Sequence, residues 1–179
     1  VMSNTNNFIF TGLKIVAWII FVGLGIEAGA LIVNFIVSIY KPEFVQNLYQ
    51  KLDLSAMFNR SQWAFYGMYL FILIIALQKT YLFYVLIDLL DKLDLTKPFN
   101  ESVASKISLI SYLTFSIGLL SYIAAQSAHN FQRKGYEIDD LHGFWGDSEA
   151  FILMAAVVYV IATIFKRGVE IQNENDLTV

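Results

Sequence analysis

Four stretches of this sequence are too long and too apolar to lie on the surface of a water-soluble protein. A helix needs about 20 consecutive apolar residues to cross a hydrocarbon core of about 30 Å. Residues 15–39, IVAWIIFVGLGIEAGALIVNFIVSI, meet that need with only Glu27 and Asn34 interrupting them. Residues 63–90 are interrupted by Gln78 and Lys79, with Asp88 near their end. Residues 107–128 carry no charge. Residues 150–165, AFILMAAVVYVIATIF, are shorter, and Phe144 and Trp145 offer an extension into the interface. Backbone amides cannot go unsatisfied in lipid, so these runs are helices and not open strands. The fold class that follows is all-α: an integral membrane four-helix antiparallel bundle forming a single membrane domain over 1–179.

Composition narrows the function classes. Hydrophobic residues make up 57% of the chain and charged residues 15%, whereas a soluble domain is about half apolar and about a quarter charged. The 15 Phe, 10 Tyr and 3 Trp suit a protein with membrane–water interfaces to anchor. A net charge of −3 argues against direct nucleic-acid binding, which needs clustered Lys and Arg. The absence of cysteine excludes disulfides, thiolate metal sites and cysteine nucleophiles. Ala28-Gly29-Ala30 has the small-x-small look of a leader cleavage site. The apolar run nevertheless continues to Ile39 and only Lys14 precedes it as a cation, so the run reads as a retained span.

An even number of spans places both termini on one side. That side collects Lys14, Lys92, Lys97, Lys106, Lys166 and Arg167, and the other Lys41, Lys51, Arg60, Arg133 and Lys134. The narrow excess, with Lys166-Arg167 abutting the fourth span, predicts that both termini are cytoplasmic. In the first connection, Phe44, Val45, Leu48, Tyr49 and Leu52 recur at helical spacing and predict a short amphipathic interfacial helix between spans 1 and 2. In the second, Pro98 breaks the chain and Asn100 is a candidate N-cap. Asp147 or Ser148 is placed to cap the fourth span, and a cytoplasmic tail follows over 166–179.

Helices in lipid approach closely through small residues. Gly25 and Gly29 form a G-x-x-x-G step in the first span, Ala104, Ser111, Gly118 and Ala125 recur every seven residues in the third, and Ala155 and Ala162 repeat that spacing in the fourth. Such seams build a compact bundle, or turn one face, most naturally that of the first span, toward a second copy in a homo-oligomer.

Glu27 is the most expensive residue in the chain, since an intramembrane carboxylate normally faces protein or water and has a partner. It lies thirteen residues from Lys14, or about 20 Å along a helix. Lys79 lies fourteen residues before Leu93 on the next, antiparallel span, again about 20 Å. Three readings follow: an ion pair with Asn34 and Gln78 nearby, a Lys79 that snorkels to the interface, or an ion or ligand site formed by Glu27, Asn34, Gln78 and Lys79. No nucleophile elbow, phosphate-cradling loop, EF-hand or zinc spacing accompanies them, so no catalytic residue, metal or cofactor is expected and the chain reads as a non-enzyme.

Two further stretches carry a resemblance. Lys97-Pro98-Phe99-Asn100 in LDKLDLTKPFN, and Lys166-Arg167-Gly168 followed by Glu174-Asn175-Asp176-Leu177-Thr178, make the chain resemble the bacterial membrane-protein family known as domain of unknown function 2975. The resemblance implies four spans in a bacterial inner membrane and a cytoplasmic loop after the second span. It also implies a partner: family genes often neighbour one for a small helix-turn-helix regulator. The function expected is a sensor, regulatory or immunity-type membrane protein that docks a partner through Lys97, Pro98, Phe99, Asn100, Lys166, Arg167, Gly168, Glu174, Asn175 and Asp176. The alternative is an ion or small-solute pathway around Glu27, within the bundle or in a homo-oligomer.

Overall fold

The structure is a computed structural model and describes residues 4–41, 43, 45, 48, 54–93, 98–136 and 142–176. The elements run α1 (Asn4–Tyr40), α2 (Ser55–Arg60), α3 (Gln62–Lys92), α4 (Glu101–Arg133), α5 (His142–Trp145) and α6 (Ser148–Asp176). Helices α1, α3, α4 and α6 are each long and apolar enough to cross a bilayer, which makes the chain a multi-pass membrane protein with four helical spans.

The spans alternate in direction, as the cross-helix contacts require. Lys14 meets Asp91 and Leu31 meets Tyr69 between α1 and α3. Asp88 meets Lys106 and Gln78 meets Ser116 between α3 and α4. Ser111 meets Ala155, and Gly118 meets Ile152, between α4 and α6. In each pair the numbering falls on one helix as it rises on its neighbour. The main packing follows chain order, α1 on α3, α3 on α4 and α4 on α6, the last most extensively. Protein covers 44% of the most apolar stretch of α4, but only 17% of that of α1 and 11% of that of α6. Helix α4 is the central support. The basal end of the bundle carries Lys14, Asp88 and Phe99, and the distal end Tyr40, Arg60 and Gly135.

The seams expected on spans 3 and 4 become the α4–α6 interface except at Ala125, which is partly buried against the distal core. Ala104, Ser108, Ser111, Gly118, Ala155 and Ala162 are buried, and the Ser111 hydroxyl donates to the Ala155 carbonyl at 3.0 Å. A Cβ on Gly118 would lie 2.8 Å from Ile152 Cγ1 and 3.0 Å from its backbone nitrogen, so only glycine permits this approach. The step in α1 is not used in this way: among the described residues, nothing beyond α1 itself lies within 4 Å of where a Cβ on Gly25 or Gly29 would stand.

Several boundaries shift. Helix α1 starts at Asn4 instead of near 15 and α4 runs from 101 to 133 instead of from 107 to 128, because no proline interrupts the flanking polar residues. The separate tail expected over 166–179 is, to Asp176, a continuation of α6, supported by an Arg167–Glu170 pair at 2.6 Å. The amphipathic helix expected near 44–52 falls mostly outside the described residues; Val45 and Leu48 are buried with Leu54 and Met57 under the distal core. Phe144 and Trp145 lie within the fourth candidate span, Gly143–Glu174, but on a separate short helix. They belong to α5, which a turn at Gly146 and Asp147 separates from α6, with Asp147 at φ 63. Asn100 does cap α4, its side chain accepting from the Val103 amide at 2.9 Å.

Candidate functional site

Two places collect the residues singled out by sequence: a polar layer inside the bundle and a surface at its basal end.

The polar layer is set by α3. The register fixed by Lys14–Asp91 and Leu31–Tyr69 brings Glu27 and Lys79 to similar depth, yet the two do not form an ion pair. Lys79 extends toward α5 and the start of α6, where its ammonium donates to the Phe144 carbonyl at 3.4 Å and lies 5.8 Å from the centre of the Phe151 ring. Glu27 and Asp147 act on it only through space. Gln78, next along the helix, donates to the Ser116 hydroxyl at 3.0 Å. Its Oε1 is buried, as is the indole Nε1 of Trp145, and neither finds a hydrogen-bond partner among the described residues. Unpaired buried groups of this kind cost of the order of 1–3 kcal/mol each.

The four residues therefore do not form one cluster. Asn34 lines a crevice of about 430 Å³ with Ile36, Val37 and Tyr40, away from Gln78 and Lys79. What the structure adds is Ser116, Phe144 and Trp145. Phe144 and Trp145 stood out only as an extension of the fourth span, and Ser116 is one of several hydroxyls in its stretch, so the sequence did not mark the three as a group. A turn folded back on the membrane helices leaves no periodicity to read, which is why α5 was not foreseen.

The basal surface is more tightly organised. Asp88 lies between Lys92, at 3.1 Å, and Lys106, while Asp91 holds Lys14 at 2.7 Å. The chain then passes through residues 94–97, where Lys97 lies outside the described residues, to the partly buried Pro98 and to Phe99. The Phe99 ring covers Gly168 so closely that a Cβ there would stand 2.4 Å from Phe99 Cδ1. Phe165, one turn back on α6, packs at 5.3 Å between ring centres. Asn100 caps α4 directly beyond. Phe99, Asn100 and Gly168, from two distant parts of the sequence, thus meet at one place. Lys166, Arg167 and Glu174 are exposed on the same helical extension, which also carries the backbone of Asn175 and Asp176.

With this geometry in view, comparison with known proteins is informative at one level. The family model described as "Protein of unknown function (DUF2975)" matches residues 47–179. No curated protein and no solved structure matches the chain.

Proposed function

The chain belongs to that family of unknown function, and from this premise we propose a small non-enzymatic regulatory membrane protein whose basal end docks a partner. The observation that carries the proposal is the seating of Phe99 on Gly168. It joins the 98–100 loop to the α6 extension as one ordered face, where a simple membrane anchor needs neither. Lys14, Lys92, Lys106, Lys166 and Arg167 gather at this end. That distribution favours a cytoplasmic face on a bacterial inner membrane. The partner implied by the family resemblance is a small helix-turn-helix regulator, held at the membrane by this face.

The test is co-expression of the full chain with a helix-turn-helix regulator of the kind encoded beside family members, followed by membrane fractionation. The regulator is expected in the membrane fraction with the unaltered chain and in the soluble fraction with Phe99→Asp. A regulator that stays soluble with both sinks the proposal.

A second reading rests on the unpartnered Gln78 Oε1 and Trp145 Nε1. A small polar solute with both a donor and an acceptor, passing near Lys79 and Glu27, would satisfy both atoms, and a cation would be held by Oε1 alone, within one bundle or a homo-oligomer. Flux in proteoliposomes that is abolished by Glu27→Gln supports it, and no flux above protein-free vesicles removes it.

A further inference from the structure

The α4–α6 interface leaves a crease that faces outward along the basal half of the bundle. At its basal end is a cavity of about 560 Å³ with Glu101, Ser105 and Ser108 on the α4 wall and Lys166 and Glu170 on the α6 wall. Tyr112 lines this cavity and also the next one, of about 420 Å³. The second is apolar, formed by Phe115, Ile152, Ala156, Tyr159 and Val160. The two share Tyr112 as a common wall, and polarity falls from one to the other in the direction of the bilayer centre.

The walls are small by composition. Ala104, Ser105 and Ser108 face the first cavity, and Ala155 and Ala156 the second, so the helices touch at the seam and leave room beside it. From Glu101 to Phe115 the crease runs fourteen residues, or about 21 Å of helix. One leaflet of a bilayer about 40–45 Å thick has the same depth.

The charges choose the occupant. Lys166 and Glu101 are exposed on opposite walls, and neither forms an ion pair among the described residues. Glu170, by contrast, is engaged by Arg167 at 2.6 Å. A cation and a carboxylate facing one cavity complement a headgroup that bears both signs. An anionic headgroup would meet Glu101 unfavourably, and an apolar helix from a second copy would leave both charges uncompensated.

We infer that this crease is a binding site for a single diacyl phospholipid with a zwitterionic phosphoethanolamine headgroup. Its phosphate is held by Lys166 and the Ser105 hydroxyl, its ammonium by Glu101, and one acyl chain lies along Tyr112, Phe115, Ala156 and Tyr159. The inference does not rest on the partner-docking reading: the two share only Lys166, which here is read with the α4 wall and not with the Phe99–Gly168 face.

Native mass spectrometry of the full chain, released from nanodiscs of mixed phosphatidylethanolamine, phosphatidylcholine and phosphatidylglycerol, tests it. One phosphatidylethanolamine per chain is expected to be retained in preference to the other two. Lys166→Met and Glu101→Gln should each reduce that retention about tenfold, the effect of losing one charge-assisted contact. Arg133→Gln, at the far end of α4, should leave it unchanged. Ala156→Phe fills the apolar half and should lower retention of every lipid while both charges remain. Equal retention of the three lipids, no retained lipid, or a dimer that the Ala156→Phe substitution dissociates would each overturn the inference.

Discussion

Phe99 covers Gly168 at a distance that leaves no space for a methyl group. A loop and a helix separated by more than sixty residues are thereby fixed to each other. Gly168→Ala forces the ring to move. We expect it to cost about 1–3 kcal/mol, the usual range for overpacking, offset in part by the better helix propensity of alanine. The measurement is limited tryptic proteolysis in nanodiscs, where cleavage after Lys92 should accelerate in Gly168→Ala and in Phe99→Ala alike. An unchanged rate in both would mean that the contact does not order the loop.

The glycines of the spans are expected to divide sharply. Gly118→Ala places a methyl 3.0 Å from the Ile152 backbone, which cannot rotate away as a side chain can. Gly25→Ala and Gly29→Ala meet only open space. Thermal melts in detergent should show a loss of about 1–3 kcal/mol for the first. The other two should be neutral or gain up to about 1 kcal/mol. Destabilisation by the α1 substitutions would point to a second copy on that face.

The basal ion pairs should rank by what each leaves behind. Asp91→Asn releases a partly exposed Lys14, at a cost of about 1 kcal/mol or less. Asp88→Asn removes the anion between Lys92 and Lys106, leaving two cations side by side, one of them largely covered. Its loss should be the larger, and added salt should narrow the gap by screening the repulsion. Melting curves of both variants at low and high salt decide the order.

Tyr69 is completely buried, and its hydroxyl donates to the Leu31 carbonyl at 3.0 Å across the α1–α3 interface. Tyr69→Phe keeps the ring packing against Phe35 and Phe65. A loss of about 0.5–1.5 kcal/mol is expected, the net worth of one hydrogen bond. A larger loss would show that α1 depends on this bond for its position.

How much of this was legible beforehand depended on the kind of signal. The four spans are written as uninterrupted apolar runs, and the α4–α6 seam as small residues seven apart, so both were readable. The similar depth of Glu27 and Lys79 followed from counting residues. The direction of the Lys79 side chain did not, because it depends on α5, whose place against α3 and α4 no periodicity encodes. Gly25 and Gly29 matched the pattern of a close helix contact, yet within this chain α3 packs on other residues of α1. Spacing shows that a face can be approached; it does not show which neighbour, if any, approaches it. At the basal end the reverse held: Pro98-Phe99-Asn100 and Lys166-Arg167-Gly168 were singled out through a family resemblance, and their contact gives it a physical basis.

The position of α6 has a mechanical consequence. Between Glu149 and Lys166 its apolar stretch is sixteen residues, about 24 Å long. The corresponding stretch of α1, residues 15–39, is about 38 Å. These are the two outermost and least covered helices. The candidate spans that contain these stretches are nevertheless almost equal, 33 residues for Phe8–Tyr40 and 32 for Gly143–Glu174. A bilayer that matches the full length of α1 therefore meets charged side chains at both ends of α6 where beside α1 it meets apolar ones, and hydrophobic mismatch is concentrated on the α6 side.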